Sequence, residues 1–591
     1  MSDHLSPWDA SPQAWQAEDR VDPYLRVALA MALADHDVTL AGMTLTFELL
    51  PGQSIHALAD ALAAADRVRS HWQGEHAVFG TAWLTLATAQ RWAEQGPPAC
   101  LARFEVGMPW RDQREDRAQP LAAPAPSHPH PPRLHRTPST ADTLWVVMDH
   151  GCPFAHPALR RGDGQTSVLH LWDQGPHPEL GEAAHQPLPW GYGAELNRAE
   201  MTRWLQAVDG DEAACYARLG YHALQRRAVH GAHVLGQLQV KAGEDLVFIQ
   251  LPRAQLQTLS RTALAPAVLD GAMYALSVAA PGSRVIVNLS LEAYDGPHDA
   301  LSLWSCALQA LVWHARQAHA VEWTWVIAAG NAASLKVNAT ITLQPDVQQT
   351  LIWRLPPASE HVAWLELWWP EAMGTLSFGL TPPGHTEVTW MDAGRLSTWP
   401  SRLHPACWVA YPNAVTAGGR CLLVRLAPTA TASGQAVVAP AGDWTLHLQG
   451  EAAGTVRAYL ARVWQGLGGQ PRGRQGQLWP LEPSPDALGQ GLQRPEEPPR
   501  TGSLNGLASG VEGVVVAQAM RWQSGHLVET AYSGRGPARA VSAHLCEASV
   551  LLHGLRGWGA LGGQSVRMNG TSVAAPQAAR ALAWASGRAP P

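Results

Sequence analysis

The stretch Leu144-Trp145-Val146-Val147-Met148 constrains the fold of this chain more than any other. Five consecutive apolar residues leave no polar face. A strand built from them must be covered on both sides, as a central strand of a parallel sheet between helices is. The run stops at Asp149-His150-Gly151. A charged residue at the C-terminal end of such a strand stands where ligands and chemistry gather in open α/β sheets. Similar runs recur at residues 246–251, 285–291 and 325–329. Helical patterns separate them, as at 301–318, where Trp304, Ala307, Leu308, Leu311, Val312 and Ala315 share one face. Strand and helix alternate as an α/β domain requires.

At 591 residues the chain exceeds what one core supports, so several domains are expected. Residues 1–117 read as a small α+β unit, with strands at 38–50 and 79–86 and helices at 54–67 and 87–94. The proline density of residues 118–140 gives an extended connector. His128 and His130 lie in it with no Cys or further His at ligand spacing, so no metal site is assigned. The α/β pattern fills 141–337. Over 338–465 short stretches alternate apolar and polar residues. Leu376, Phe378 and Leu380 stand against Thr375, Ser377 and Gly379, and Trp444, Leu446 and Leu448 against Thr445 and His447. Turns break these stretches, which is the pattern of an all-β sandwich or jelly roll. The block reads as a brace packed on the α/β domain, or else as a surface whose exposed tryptophans take a partner or a carbohydrate. Alternation sends one of Trp368 and Trp369 into the core. Residues 466–498 read as a second linker, and 499–591 return to the α/β domain.

A formal charge of −7 with no basic stripe speaks against a nucleic-acid partner. The seven cysteines are scattered, odd in number and form no CxxC, which fits reduced thiols in a cytoplasm. The sequence begins without a basic region followed by an apolar run, and no apolar run reaches about 18 residues. The expectation is a cytoplasmic protein without a membrane partner.

The chemistry is concentrated in Asn569-Gly570-Thr571-Ser572-Val573-Ala574-Ala575-Pro576. A turn-forming run delivers Ser572 to the mouth of an alanine-rich helical segment, 573–585, with Pro576 in its first turn, where the missing N–H does no harm. There the serine sits among unpaired backbone N–H groups at the positive end of the dipole. A serine attacks a carbonyl only with a base and a group that orients the base. His230 opens His-Gly-Ala-His-Val-Leu-Gly, where a helix starts, and Asp149 ends the buried strand. Asn331 follows the strand WTWVIAAG. Its amide and the Ser572 backbone N–H are candidate donors to an oxyanion.

These segments resemble those of the subtilisin-like serine proteases, the subtilases. DHG with HPAL resembles the aspartate motif, HGAHVLG the histidine motif, AAGN the oxyanion motif, GTSVAAP the serine motif, and YSGRGP at 532–537 a further recurring segment. The resemblance implies that Asp149 orients, that His230 acts as general base and then acid, that Ser572 is the nucleophile and that Asn331 stabilises the oxyanion. Ala232 stands where threonine is usual and Val573 where methionine is usual. VIVNLSLEAYDGPHD resembles the edge of the primary specificity pocket, which makes Ser290, Leu291, Glu292 and, beside the oxyanion residue, Gly330 candidates for substrate binding. Glu292 replaces the usual glycine. It either points to solvent or forms an acidic pocket wall favouring Lys or Arg before the scissile bond.

The long spacings from Asp149 to His230 and from Asn331 to Ser572 identify a subgroup. The first holds Asn197 and Glu200 as a helix-cap pair, and the second holds the β block. With GPHD at 296–299 they resemble the spore-germination (Csp-type) subtilases. The implied architecture is α/β: a subtilisin-like domain with a mainly parallel sheet between helices, an inserted jelly roll and a small α+β prodomain-like unit. The implied activity is an intracellular serine endopeptidase acting on protein or peptide substrates. No cofactor is expected and no Asp-rich loop assigns a metal site, and the activity is expected to be restrained by residues 1–117 or by narrow substrate choice. The alternative is a catalytically silent relative that serves as a protein-binding scaffold, since inactive members occur in the Csp-type group.

Overall fold

The strand Thr143–Asp149 occupies the middle of a nine-stranded sheet. The computed structural model describes residues 9–10, 22–34, 42–107, 132–175, 180, 184–241, 243–252, 256, 259–400, 405–413, 415–416, 418–430, 437–463, 473–480, 502–508, 512–536, 543–547 and 554–585. His128, His130 and most of both expected linkers lie outside the described residues.

Six strands follow one another in parallel: Val168–Asp173, Asp245–Gln250, Thr143–Asp149, Arg284–Leu289, Glu322–Ala328 and Val514–Gln523. Ala543–Glu547 extends the last of these in parallel. Ala194–Asn197 and His526–Glu529 add antiparallel pairs at the two edges. The apolar run divides between the faces with the period of two that a strand imposes. Leu144, Val146 and Met148 enter the core under helices Arg261–Val278 and Leu303–His319. Trp145 and Val147 enter the core under helices His230–Leu238 and Thr571–Ala585. Each such buried side chain contributes roughly 1.5–3 kcal/mol. In register, Gln250 lies opposite Asp149, and Leu289 lies opposite both Met148 and Ile327. The strands therefore end together, and the residues that follow them share one edge. The expected cap pair forms a full capping box, with Asn197 and Glu200 exchanging side-chain and backbone hydrogen bonds.

The β block folds as two antiparallel sheets. One runs through Arg395–Trp399, Cys407–Tyr411, Gly419–Leu426, Ala363–Trp369, Gly454–Leu460 and Asn338–Leu343. The other orders Thr389–Met391, Ser377–Thr381, Gly442–Gln449, Gln349–Leu355 and Gln477–Pro480. Both contribute to one core, with Trp353 and Trp444 from the second sheet meeting Leu365, Leu367 and Trp369 from the first. Residues 477–480, expected within a linker, are thus a strand of this block. Trp368 points the other way, yet it is also buried, with Cys421 and Tyr459. Around Trp368 the outer face of the first sheet is covered, whereas Thr340, Thr342 and Arg457 toward its Asn338–Leu343 edge stay exposed.

Part of that cover comes from the N-terminal region. Its four-stranded sheet, in the order Arg67–Gln73, Val78–Thr85, Gly42–Leu49 and Leu101–Val106, lies on the helices Arg261–Val278 and Leu303–His319. Trp72 and Phe79 join their core, and the Trp72 indole donates to the Ala307 carbonyl at 3.2 Å. The expected helix at 54–67 ends at Ala61, because the Asp66 carboxylate accepts the Ala63 N–H and turns the chain into the strand Arg67–Gln73. Helix Pro23–Ala34 has two partners. Leu25, Ala28 and Leu29 complete the small sheet's core, while Tyr24 and Val27 pack on Trp364, Trp408 and Leu423 of the β block. The Tyr24 hydroxyl donates to Glu366 of that block, and the other Glu366 oxygen accepts the Gly296 N–H at 2.5 Å and the Trp368 indole N–H at 2.6 Å. One carboxylate thus joins the N-terminal region, the α/β domain and the β block.

Candidate active site

Asp149 is buried at the end of its strand, 1% exposed. The chain turns at Gly151, whose φ of +86° is a left-handed conformation that glycine adopts without strain. The His150 carbonyl then accepts the Gly231 N–H at 3.0 Å, which pins the start of the helix carrying His230 against the end of the aspartate strand. As a result His230 Nδ1 lies 2.8 Å from both Asp149 oxygens. That contact assigns the proton to Nδ1 and leaves Nε2 with its lone pair. Burial pushes the imidazole pKa down. The charge of Asp149 and its hydrogen bond, with a further pull from Glu292, outweigh this and hold the pKa above its ordinary value. A base works only when neutral, so activity carried by His230 should rise with pH through a midpoint above about 6.5. A pH–rate profile with its acid limb below that value would contradict the assignment.

The helix Thr571–Ala585 packs on the histidine helix, with Ala574, Ala575, Ala578 and Ala579 against Ala232, Val234 and Leu235 in one core. Small side chains let the two axes approach closely, and Ser572 stands half-buried in the first turn. Thr571, just before it, is the tie to Asn331. The Thr571 N–H donates to Asn331 Oδ1 at 2.8 Å, and the Thr571 hydroxyl oxygen accepts the Gly330 N–H at 3.0 Å. The carbonyl end of the Asn331 amide is thereby occupied, which leaves its NH2 to donate elsewhere. A Cβ on Gly570 would lie 3.3 Å from Ser572 Oγ and 3.4 Å from Asn331 Nδ2. The serine hydroxyl and the asparagine NH2 therefore flank one small space, which a side chain at 570 would fill.

The other candidates line the adjoining strand ends. The Ser290 hydroxyl donates to the Ser572 carbonyl at 2.9 Å and accepts from Asn288 Nδ2 at 2.9 Å. Leu291 is buried, and its carbonyl accepts from the Asn505 amide at 2.8 Å. Gly330 has φ +92°, and a Cβ there would meet the Tyr294 hydroxyl at 2.2 Å. Glu292 corrects both sequence readings. It does not point to solvent, the residue as a whole being 9% exposed. Nor is it a free acidic wall. One oxygen accepts from Arg462 Nε at 3.0 Å, and the other accepts the Asn331 backbone N–H at 2.6 Å and the Tyr294 hydroxyl at 3.2 Å. A carboxylate already paired with an arginine has little charge left to select a basic substrate residue.

The fold matches the solved structure titled as that of the Clostridium perfringens CspB protease, with a TM-score of 0.51 and 16% sequence identity over 75% of this chain and 81% of that one. The chain shares the fold of the CspB protease. No protein-family model and no curated protein matches the sequence. The likeness to the CspB protease is one of backbone architecture, and the side-chain arrangement described above is read from this chain alone. Among the described residues no helix is long and apolar enough to cross a membrane.

Three residues of the site escaped sequence reasoning. Thr571 was visible only as part of the serine motif, although it orients Asn331. Asn505, fully buried, joins the Leu291 and Ala328 carbonyls through its NH2 and the Ala293 and Leu507 N–H groups through its oxygen. Its only signal was an asparagine in the turn-like run SLNGLAS. Arg462 carried no signal, because its partner is distant in sequence.

Proposed function

We propose that this protein is a serine endopeptidase of the subtilase type, with Asp149, His230, Ser572 and Asn331 as its catalytic residues. The observation that carries the reading is the Asp149 carboxylate at 2.8 Å from His230 Nδ1. The serine and asparagine side chains stand at the mouth of the helix packed alongside. In the first step Ser572 Oγ attacks the peptide carbonyl while His230 Nε2 takes its proton. The carbonyl π pair moves to oxygen, where Asn331 Nδ2–H and the Ser572 backbone N–H donate to it. His230 then passes the proton to the leaving amine as the C–N bond breaks, which leaves an acyl-enzyme. Water, deprotonated by the same imidazole, releases the acid and restores the hydroxyl. Asp149 stays ionised throughout, fixing the tautomer and balancing the imidazolium. Ser290, Leu291 and Gly330 belong to the walls that bind substrate, and Glu292 serves them from behind.

We further propose that the β block is a jelly-roll insert of the Csp type, that the protein acts inside the cell, and that its N-terminal unit restrains it. A chain folded intact, cut at an engineered site within residues 108–131 and freed of its N-terminal fragment should hydrolyse a protein substrate faster than the uncut chain. Equal rates would leave narrow substrate choice as the restraint. Labelling with a fluorophosphonate tests the central reading, because only a serine activated by a base reacts. Absence of label on the folded protein would count against it.

A further inference from the structure

Among the described residues, Arg462 carries the β block to the candidate site. Arg462 lies just past the strand Gly454–Leu460, in a segment held at Leu460 by the Val337 carbonyl and at Val463 by Gln475. Its guanidinium is nearly enclosed, with 11% of the side chain exposed, as is its partner Glu292 at 11%. Arg462 Nε donates to Glu292 Oε1 at 3.0 Å and Nη1 reaches Gln475 Oε1 at 3.5 Å. The second Glu292 oxygen accepts the Asn331 backbone N–H at 2.6 Å. A carboxylate in so little water is held in place by the cation it faces. Without that cation it is driven to turn outward, and its grip on the Asn331 N–H weakens.

We propose that Arg462 is a positioning residue for the reaction proposed above: acting through Glu292, it fixes the backbone at Asn331 and so the amide that meets the oxyanion. This rests on the serine-protease reading of the site. The β block then has a part in catalysis besides covering the α/β domain, because the donor geometry depends on a residue it supplies. The chain Arg462–Glu292–Asn331 is made of direct contacts, and Tyr294 closes it from the other side, its hydroxyl donating to Glu292 and accepting the Ala332 N–H at 3.1 Å. The ionisable groups around His230 are Asp149, Glu292 and the neighbouring imidazole of His233, with Arg462 and Tyr294 facing Glu292.

The test uses the full chain, with Arg462→Met, Arg462→Lys, Glu292→Gln and the Met/Gln double variant. A fluorophosphonate is the probe for Ser572, and hydrogen exchange is read at the Asn331 amide. In Arg462→Met the labelling rate should fall about 10- to 100-fold, the loss that misplacing a catalytic group produces. Asn331 exchange should become at least about tenfold faster as its hydrogen bond opens more often. Arg462→Lys, which keeps the charge, should recover part of both. The double variant should label no more slowly than the worse single variant, because the pair acts as one unit. Glu292→Gln should also move the acid limb of the labelling rate to lower pH, since a negative charge near His230 is lost. A change that only weakened packing would not do this. Folded Arg462→Met with unchanged labelling and unchanged Asn331 exchange would overturn the proposal, as would additive losses in the double variant. Should Arg462→Met fail to fold, Arg462→Lys and Glu292→Gln carry the same comparison. If the wild-type protein takes no label, the reading of Ser572 falls. Exchange at Asn331 then decides the coupling alone, faster exchange upholding it and unchanged exchange removing it.

Discussion

Ser572→Ala should reduce peptide hydrolysis by about 10⁶-fold in kcat and abolish fluorophosphonate labelling. The change removes one oxygen from a half-buried position in the first turn of the helix. Alanine is at least as good a helix former as serine, so the folded state should persist. The hydrogen bond from the Ser290 hydroxyl to the Ser572 carbonyl is to the backbone and survives the substitution. Thermal unfolding of the variant should therefore match that of the parent while activity disappears. A residual rate of about 10³- to 10⁴-fold over water would be what oriented donors and binding alone supply. Hydrolysis by Ser572→Ala at a rate near that of the parent would place the nucleophile elsewhere.

Asp149→Asn should lower kcat by about 10⁴-fold with little change in shape. The carboxylate holds the proton of His230 on Nδ1. An asparagine amide can present its NH2 to that nitrogen and stabilise the opposite tautomer, which turns Nε2 into a donor and removes the base. The substitution also takes away the chief influence that raises the imidazole pKa, while burial continues to depress it. The acid limb of whatever activity remains should move to lower pH. Unaltered activity in Asp149→Asn, or an acid limb that moves upward, would show that the pair is structural.

How far these residues could be read before any coordinates depended on whether the signal was local. The strand ending at Asp149 was legible because an all-apolar run admits few other fates. The Asn197–Glu200 box was legible because its two partners lie three residues apart. Asp149, His230, Ser572 and Asn331 could be named because each lies at the end of a strand or the start of a helix in a recurring segment. The strand Arg67–Gln73 was hidden by its composition, since RVRSHWQ buries only Ser70 and Trp72 fully and reads as polar. Helix Pro23–Ala34 was hidden for the opposite reason. Its sequence PYLRVALAMALA is apolar around most of its circumference, which erases the 3.6-residue period and fits an element with partners on two sides. The fate of Glu292 could not be read at all. Whether a lone carboxylate faces water or a protein cation depends on which distant arginine the fold delivers. Trp368 was misjudged for a related reason, because period-two reasoning assumes that a sheet has one wet face, and this sheet has none in that region.

The double attachment of helix Pro23–Ala34 has a consequence for how the molecule comes apart. Tyr24 and Val27 are anchored in the β block and Leu25 and Leu29 in the small sheet, while Glu366 joins both to the loop at Gly296. Neither unit can detach without stripping cover from the other. On heating they should melt as a single cooperative transition, and cutting the connector between the small sheet and the α/β domain should leave two fragments that still travel together on a sizing column.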